Sequence, residues 1–368
     1  MKKLQYVMVG GFLGAGKTTA LARLARHYMD QGLKVGIVTN DQAEDLVDTN
    51  SLRSQGLPVE EVAGACFCCR FNDLVGSVES LEQRERPDVI LAEPVGSCTD
   101  LVATVVQPLK DLYGERFAVA PYVVFFKPSH GLRILKREQN AGFSPKAAYI
   151  FLKQLEEADV IAINRLDELS TEEVEELTSL IEQEFPGTPI LRVSAKTGEG
   201  FDTLSSVLNQ EGEFGRKILQ IDYDTYAEGE AEMGWLNSNI RVTSETEIEL
   251  DTLLVDVVSR LQKQLASPDI EVAHLKAIGQ TEASFGVANL VSNHTQPELS
   301  LASRSRAKEL DLIVNARVSA SPELLEEKVR EQVTAATESV GASAEIRSLQ
   351  SFRPGRPMPT HRYDVAVN

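Results

Sequence analysis

Cysteine is scarce in this sequence, and its few copies are not spaced as a disulfide framework would be. Only four cysteines occur among 368 residues, and three of them fall within residues 66–69. Secreted domains that depend on disulfides carry cysteines spread along a short chain. Long hydrophobic runs are also lacking, so the sequence predicts no segment that crosses a bilayer. These two absences favour a protein of the reducing cytoplasm.

Basic residues are outnumbered by acidic ones. The chain has 37 lysines and arginines against 55 aspartates and glutamates, which gives a formal net charge of −18. This charge argues against nucleic acid and against an anionic membrane as the main partner, because both repel a strongly acidic protein. Otherwise the composition is that of an ordinary globular protein, with 42% hydrophobic residues and enough length for two domains.

A glycine-rich stretch near the start of the chain carries a phosphate-binding pattern. Residues 11–18 fit G-x-x-x-x-G-K-[ST] and lie between an apolar, strand-forming run and a predicted helix. Backbone N–H groups of such a loop surround phosphate oxygens, while Lys17 reaches the β- and γ-phosphates and Thr18 binds Mg²⁺. The alternative is a glycine-rich turn that binds nothing. The predicted nucleotide-binding residues here are Gly11, Gly14, Ala15, Gly16, Lys17, Thr18 and Thr19.

Short apolar runs alternate with helical stretches from residue 1 to about residue 208, which predicts an α/β fold. The pattern is typical of the mostly parallel, doubly wound sheet of P-loop NTPases. In such sheets, ligands bind beyond the carboxyl ends of the strands. The predicted strands cover residues 4–9, 34–39, 59–62, 89–92, 118–126, 160–163 and 190–193.

Acidic residues follow two of these predicted strands. Asp41 comes directly after the second strand, where a carboxylate can hold Mg²⁺ through water or position the attacking water. The alternative for this stretch is a solvated acidic loop. Glu93 follows the strand at 89–92, and Gly96 comes three residues later, where it can sense the γ-phosphate. The catalytic candidates are therefore Lys17, Asp41 and Glu93.

Three cysteines follow the third predicted strand in a C-x-C-C pattern, as Cys66, Cys68 and Cys69. Thiolates bind soft or borderline cations such as Zn²⁺, and closely spaced cysteines can share one ion. Three thiolates leave one tetrahedral corner to water, Asp41, another side chain or a partner protein, which suits transfer of the metal. The alternative is a set of buried apolar cysteines. Cys98 is either a fourth thiolate or, as the sequence favours, a cysteine at a helix start.

Two later strand ends carry a pattern typical of guanine recognition. In Asn164-x-x-Asp167, the carboxylate can accept hydrogen bonds from N1–H and the 2-amino group of guanine. Adenine cannot supply this pair of donors, so the base is selected by hydrogen bonding. The segment after the last strand is expected to close over the base. The predicted base-binding residues are Asn164, Arg165, Asp167, Ser194, Ala195 and Lys196.

The first 210 residues resemble the CobW-type GTPases, which are similar to the nickel-accessory GTPases of urease and hydrogenase maturation. The resemblance rests on the order of the glycine loop, the C-x-C-C motif, Glu93-x-x-Gly96 and the two base-binding motifs. It implies binding and hydrolysis of GTP with Mg²⁺. It also implies that the C-x-C-C motif binds Zn²⁺ or another transition metal, such as Co²⁺ or Ni²⁺, for delivery to a client metalloprotein.

Three positions depart from the pattern of that family. Arg165 stands where the base-binding motif usually has lysine, and Pro94 replaces a hydroxyl-bearing residue near the γ-phosphate. Asp41 replaces the usual glutamate after the second strand. The chain has only five histidines and contains no histidine-rich tract that would store metal.

The second half of the chain predicts a smaller α+β domain. A helix is expected over residues 250–265, where apolar residues recur at helical spacing, and another over 322–340. Strands are expected on both sides of each helix, the first at 218–223. This order is typical of a ferredoxin-like fold. His274, in one of these strands, is expected to be a structural histidine rather than a metal ligand.

Three segments are predicted along the chain. They are a P-loop GTPase domain at 1–210, an α+β domain at 216–350 and a Pro/Arg-rich tail at 351–368. The tail is rich in proline and therefore cannot form a helix or an inner strand. It either lies over an acidic surface or a bound phosphate, or stays mobile.

The preferred hypothesis is a GTP-hydrolysing metallochaperone in which nucleotide state and metal affinity are linked. Whether GTP drives formation of a homodimer is left open. One alternative is a P-loop small-molecule kinase, which would need an acceptor pocket and a base. Another is a non-catalytic GTP switch whose cysteines hold structural zinc.

Overall fold

A computed structural model describes residues 3–40, 49, 52–138, 143–267 and 270–367. The chain divides into two compact units. The first unit comprises Met1–Ala227 together with Arg356–Asn368, and the second comprises Glu228–Gly355. The last residues of the chain therefore belong to the same unit as the first ones. Within the described residues, no helix combines the length and the apolar character needed to cross a membrane.

The described part of the first unit contains an eight-stranded sheet in which every strand pair is parallel. Its order is β3-β2-β4-β1-β6-β7-β8, and β5 pairs with β1. The chain leaves β1 at the centre of the sheet, where the order of strands reverses and open α/β sheets bind ligands. The bounds are β1 Leu4–Gly11, β2 Val35–Asn40, β3 Val59–Val62, β4 Val89–Glu93, β5 Phe117–Val119, β6 Val123–Phe126, β7 Val160–Ile163 and β8 Ile190–Arg192.

The single strand predicted over 118–126 is wrong, because the chain forms two strands there. The short strand β5 pairs with residues Leu4–Tyr6 of β1, whereas β6 pairs with Val9–Gly11. Pro121 stands between the two strands. Since proline has no N–H to donate to a ladder, it interrupts the pairing and lets the chain shift along β1.

Helices connect the strands, and several start at side-chain caps. The Ser144 hydroxyl accepts hydrogen bonds from the N–H groups of Lys146 and Ala147, and Ser170 forms a capping box with Glu173. The helix that starts at Pro128 was not predicted from the sequence. Among the described residues, the α-helices of the first unit include Lys17–Asp30, Phe71–Arg84, Gln107–Tyr113 after a π-helical turn at Val102–Val106, Pro128–Leu135, Pro145–Glu157, Thr171–Glu184 and Phe201–Leu208.

The second unit is built on a separate antiparallel sheet with the order β12-β11-β10-β13-β9-β14. The strands β14, β9, β13 and β10 follow the ferredoxin-like order, and the hairpin of β11 and β12 extends its edge. Its elements are β9 Gly234–Glu249, the helix Leu250–Leu265, β10 Val272–Gln280, β11 Phe285–Leu290, β12 Glu298–Leu301, β13 Arg306–Val318, the helix Pro322–Ser339 and β14 Ala342–Phe352.

The apolar spacing predicted for the first helix of this unit is confirmed. Every residue of that stripe is buried and belongs to one hydrophobic core with the sheet. His274 lies in β10 opposite Arg317 of β13. The buried stripe consists of Leu250, Leu253, Leu254, Val257, Val258, Leu261 and Leu265.

The strand predicted over 218–223 is wrong, because a helix begins at its end. This helix spans Tyr223–Ala231. The Asp222 carboxylate accepts hydrogen bonds from the N–H groups of Asp224 and Thr225, at 3.0 and 3.2 Å. An aspartate at this position satisfies the first free N–H groups of a helix, which favours a helix start over a strand.

Residues 356–367, here called the C-terminal strap, are fixed to the first unit by backbone and side-chain contacts. The N–H of Tyr363 donates to the carbonyl of Ala103 at 3.0 Å. Arg362 donates from Nε to the Asp100 carboxylate at 2.8 Å and from its other end to the Leu219 carbonyl. Burial raises the pKa of Asp100, which is only 1% exposed. The positive charge of the Arg362 guanidinium therefore stabilises the negative charge of a carboxylate that water does not reach.

Replacing Arg362 with methionine should release the strap. Asp100 would keep the hydroxyl of Tyr223 but lose its cationic partner, and a buried hydrogen bond to a charged group is worth about 1.5–3 kcal/mol. Denaturant unfolding should show a loss of about that size, and limited proteolysis should cleave the strap faster. Arg347→Met is the control, because its ion pair with Asp311 is exposed. Equal losses in the two variants would contradict this account of the strap.

Candidate nucleotide and metal site

The glycine loop forms a strand–turn–helix cradle. Strand β1 ends at Gly11, and the following helix begins at Lys17 directly after Gly16. Gly16 has a φ of 90°, and a Cβ added there would lie 2.5 Å from the Asn164 amide, so only glycine fits. Among the described residues, no side chain caps this helix. Its first N–H groups are therefore available to an anionic ligand at the positive end of the helix dipole.

The Lys17 side chain folds back over this loop. Its ammonium group donates to the Gly11 carbonyl at 2.9 Å, and the residue is only 7% exposed. This conformation places a fixed positive charge beside the cradle, where the surrounding protein screens it less than water would. The predicted phosphate contact of Lys17 is compatible with this position.

A pair of oxygen-bearing side chains lies beside the cradle. The Thr18 hydroxyl donates to Oε1 of Glu93 at 3.1 Å. Glu93 ends β4, the neighbour of β1, and is only 5% exposed. Hydroxyl and carboxylate oxygens are the ligands that Mg²⁺ prefers, so the pair fits the predicted magnesium site. Asp41, the other predicted magnesium ligand, lies outside the described residues.

Gly96 approaches the cradle from the turn after β4. A Cβ on Gly96 would lie 3.0 Å from the Lys17 ammonium and 3.0 Å from the backbone nitrogen of Leu13. A ligand group bound to the Lys17 ammonium would therefore contact the backbone of Gly96. The Gln154 amide donates to the Gly96 carbonyl at 2.9 Å and to the Cys98 carbonyl at 2.8 Å, which fixes the turn.

The variant Gly96→Ala should bind a GTP analogue more weakly than the parent protein does, whereas its affinity for GDP should be unchanged. The added methyl would crowd Lys17 and Leu13, and overpacking of this kind costs about 1–3 kcal/mol. Calorimetric titration should show a loss of about 5- to 150-fold for the triphosphate. The matched control is Gly76→Ala, since a Cβ on Gly76 meets nothing within 4 Å. An equal loss for GDP and the analogue would contradict a contact with the γ-phosphate.

Asn164 connects the glycine loop to the segment after β8. Its amide donates to the Ala15 carbonyl at 2.7 Å, and its carbonyl oxygen accepts from the N–H of Ala195 at 2.9 Å. The nitrogen and the oxygen of this buried amide are therefore both hydrogen-bonded within the protein. Arg23 adds a second connection, donating from Nε to the Ala195 carbonyl at 2.7 Å. Asn164 thus fixes the shape of the predicted base site.

The Asp167 carboxylate faces the same segment. Its Oδ1 accepts from the Ser194 hydroxyl at 2.5 Å, and its Oδ2 lies 3.9 Å from the Lys196 ammonium. Arg165 precedes it in a left-handed conformation, with φ 66°, and pairs with Glu168 at 2.5 Å. The structure therefore brings the two predicted base-binding motifs together around one carboxylate.

The three cysteines of the C-x-C-C motif converge after β3. The sulphur of Cys68 lies 3.3 Å from that of Cys66 and 3.7 Å from that of Cys69, and the Cys66–Cys69 separation is 3.6 Å. In a tetrahedral zinc site with Zn–S bonds of about 2.3 Å, neighbouring sulphurs lie about 3.8 Å apart. The cluster therefore has the donor type and the spacing for three corners of a zinc site.

Asn40 fixes the loop that carries these cysteines. It ends β2, and its amide donates to the carbonyls of Val62 and Ala65 at 2.8 and 2.7 Å. Its carbonyl oxygen accepts from the N–H of Phe67 at 2.7 Å. This role of Asn40 was not predicted from the sequence. The available signal was a polar side chain at the end of an otherwise apolar strand, on the edge where the motifs collect.

Hydrogen bonding within the cluster gives its thiols different pKa values. Hydrogen bonds from Cys68, then from Cys69 and Cys98, hold the pKa of Cys66 well below its ordinary value. The hydrogen bond to Cys66 raises the pKa of Cys68 well above that value and raises the pKa of Cys69 to about 11. One thiolate is thus stabilised by its neighbours, and a metal ion would displace the protons that the others keep.

The C-terminal strap lies on the cysteine loop. The N–H of Met358 donates to the Cys69 sulphur at 3.3 Å, and the N–H of Thr360 donates to the Cys68 carbonyl at 2.8 Å. The Thr360 hydroxyl also donates to the Cys69 carbonyl at 3.0 Å. N–H donors of this kind orient metal ligands and stabilise a thiolate. The sequence predicted neither the position of the tail nor any of these contacts.

A sequence model described as the CobW/HypB/UreG nucleotide-binding domain matches residues 5–192, slightly more than half of the chain. The chain belongs to the CobW/HypB/UreG family. Its cradle, base site and cysteine loop all fall within or directly beside the matched nucleotide-binding domain. The resemblance inferred from the motifs is confirmed.

Three named relatives are similar in sequence to part of this chain. The zinc chaperone YeiR of Escherichia coli K12 is 31% identical over 173 residues, which are 45% of this chain and 47% of YeiR. The zinc-regulated GTPase metalloprotein activator 1 of Dictyostelium discoideum is 25% identical over 52% of this chain and 46% of its own length. The zinc chaperone CobW of Pseudomonas aeruginosa is 28% identical over 54% of this chain and 58% of its own length. The chain thus spans about half the length of these three relatives.

Solved structures of the family give weaker similarities. The Zn(II)-bound YjiA GTPase from Escherichia coli is 14% identical and covers 91% of this chain and 99% of its own, with a TM-score of 0.40. The nickel complex of HypB from Helicobacter pylori is 18% identical over 58% of this chain and 93% of its own, with a TM-score of 0.41.

Proposed function

We propose that this protein is a GTP-hydrolysing metallochaperone that binds a zinc-like transition metal at Cys66, Cys68 and Cys69. The proposal depends above all on one observation, the arrangement of the carboxyl strand ends. The strands β3, β2, β4 and β1 are neighbours and run parallel, so the cysteine loop and the phosphate cradle occupy the same edge of the sheet. In this proposal, a change of charge at one site alters the ligand affinity of the other.

In this proposal, the nucleotide is GTP. The Asp167 carboxylate would accept the N1–H and 2-amino donors of guanine, and Asn164 would hold the loop that closes over the base. Lys17 would stabilise the charge that develops on the transferred phosphoryl group. Thr18 and Glu93 would hold Mg²⁺, with Asp41 as a further ligand or as the group that positions water.

The metal is the cargo of the reaction. A nucleotide-linked thiol cluster suits a protein that acquires a metal in one state and releases it in another. The names of the relatives YeiR and CobW, both zinc chaperones, support zinc as the first metal to test. A client metalloprotein would complete the cycle by supplying ligands of its own.

Asp167→Ala should remove the preference for guanine. Loss of two hydrogen bonds to a charged acceptor costs about 1.5–3 kcal/mol each, so GTP affinity should fall roughly 100-fold or more. ATP affinity should change little, and competition between the two nucleotides in a binding assay measures both. Glu172→Ala is the control, because Glu172 is an exposed acid in the first turn of the following helix, Thr171–Glu184. Unchanged GTP affinity in Asp167→Ala would contradict the assigned base site.

Hydrolysis and metal binding by the purified protein test the proposal as a whole. We expect phosphate release from GTP in the presence of Mg²⁺, with much slower release from ATP, and binding of one Zn²⁺ per chain. Transfer of phosphate to an added metabolite rather than to water would instead identify a kinase. Zinc binding without any GTP turnover would identify a switch with a structural metal.

A further inference from the structure

The three cysteines of the C-x-C-C motif differ in their access to solvent. Cys66 and Cys68 are 3% and 2% exposed, whereas Cys69 is half-buried. An incoming ligand reaches a thiolate site through its solvent-accessible part. The side of Cys69 is therefore the side from which another protein can approach a metal held by the three sulphurs.

The C-terminal strap lies on this accessible side. The Met358 N–H donates to the Cys69 sulphur at 3.3 Å, and the Thr360 hydroxyl donates to the Cys69 carbonyl at 3.0 Å. The next ring of the strap, that of His361, packs edge-on against Phe71, with ring centroids 5.1 Å apart. Phe71 begins the helix that follows the cysteine loop. The strap is thus fixed both to Cys69 and to the helix start beside it.

The sequence of the strap leaves one backbone donor for the sulphur. Residues 357–359 read Pro-Met-Pro, and proline has no N–H, so Met358 supplies the only backbone donor of the three. Pro359 also restricts the backbone of Met358 to extended conformations. The Met358 side chain is 78% exposed and therefore contributes little packing. What Met358 brings to the cluster is its N–H.

We propose that the metal leaves the cluster on the side of Cys69 and that the Met358 N–H holds the Cys69 sulphur in place until then. This inference rests on the proposed function, because it takes a zinc-like metal as the ligand of the three cysteines. Hydrogen bonds from outside the ligand set orient metal ligands, and the loss of one typically lowers metal affinity about 10- to 100-fold. Met358 is thus a positioning residue that acts through Cys69.

Release of the metal is a ligand exchange without electron transfer. The bond between the metal and the Cys69 sulphur breaks, and its electron pair stays on that sulphur. A thiolate of the accepting protein supplies the electron pair of the new bond. The Met358 N–H remains a donor to the freed Cys69 thiolate, since hydrogen bonds to ionised acceptors are the strong ones.

The rate of zinc release tests the role of Met358. Met358→Pro removes the N–H in a stretch that is already flanked by prolines, whereas Met358→Ala removes the exposed side chain and keeps the N–H. With an excess of chromophoric chelator, we expect zinc-loaded Met358→Pro to release its metal about 10- to 100-fold faster than the parent protein, and Met358→Ala to match the parent. Equal rates in the two variants would overturn the inference and leave the proposed function intact. A parent protein that binds no zinc would overturn both.

Cobalt(II) separates the loss of this hydrogen bond from a general loosening of the strap. The N–H lowers the energy of the sulphur electrons, so its removal should move the sulphur-to-cobalt charge-transfer absorption of Met358→Pro to longer wavelength. The band of Met358→Ala should stay where the parent has it. A Met358→Pro spectrum identical to that of the parent would contradict a hydrogen bond to the metal ligand.

Alkylation of the zinc-loaded protein with iodoacetamide tests the direction of exit. Mass spectrometry should find Cys69 modified first, and faster in Met358→Pro than in Met358→Ala. Cys98, which is 1% exposed, is the internal reference and should react later. First modification at Cys66 or Cys68 would overturn the proposed exit.

Discussion

Replacing Lys17 with alanine is expected to lower kcat for GTP hydrolysis by about 10²- to 10³-fold, the typical effect of removing one electrostatic donor from a transition state. The ammonium group is nearly buried and is held across the glycine loop by the Gly11 carbonyl. Its charge is therefore already in place when negative charge moves toward the leaving group. Single-turnover phosphate release separates this effect from any change in nucleotide binding.

The control for this prediction is a lysine that the site does not use. Lys153 lies on the helix Pro145–Glu157 and pairs with Glu156. Lys153→Ala should hydrolyse GTP at the rate of the parent protein. A Lys17→Ala rate within tenfold of the parent would contradict the proposed role of the glycine loop.

Replacing Cys66, Cys68 and Cys69 together with serine is expected to raise the Kd for Zn²⁺ at least about 100-fold. Loss of an outer-shell partner alone costs 10- to 100-fold in metal affinity, and this variant loses the thiolate ligands themselves. The sulphurs of the parent lie 3.3–3.7 Å apart, the spacing that a single ion would use. Competition with a chromophoric chelator measures the change.

Two controls accompany the serine variant. Asp73→Asn removes an exposed carboxylate near the start of the adjacent helix, where it pairs with Arg70, and should leave zinc affinity unchanged. The circular dichroism spectrum of the serine variant should match that of the parent, so that loss of binding is not loss of fold. A folded serine variant with the affinity of the parent would refute the metal site.

The parallel sheet and the positions of the motifs could be predicted because both depend on local sequence. Apolar runs followed by Gly11, Glu93 and Asn164 place those residues at strand ends, and parallel strands bring such ends to one edge. The break between β5 and β6 was predictable in principle, since Pro121 cannot donate to a ladder. The helix Pro128–Leu135 was not, because it contains Gly131 and is too short for a clear apolar period.

The contacts that complete the site depend on residues distant in sequence. Asn40 binds the cysteine loop 25 residues away, and Gln154 holds the Gly96 turn across 58 residues. A single sequence gives no distance between such positions. The strap shows the same limit, since Met358 and Cys69 are separated by 289 residues. For Cys98, the sequence favoured a helix start over a metal ligand, and the structure shows its side chain buried, at 1% exposure.

Reciprocal linkage between GTP and zinc tests the central claim most directly. The affinity of the parent protein for Zn²⁺ should be measured with GDP and with a GTP analogue, and its affinity for the two nucleotides with and without Zn²⁺. We expect the analogue to tighten zinc binding and zinc to tighten analogue binding by the same factor, about 5- to 150-fold. If neither ligand changes the affinity for the other, the two sites share an edge of the sheet without communicating, and the account is wrong.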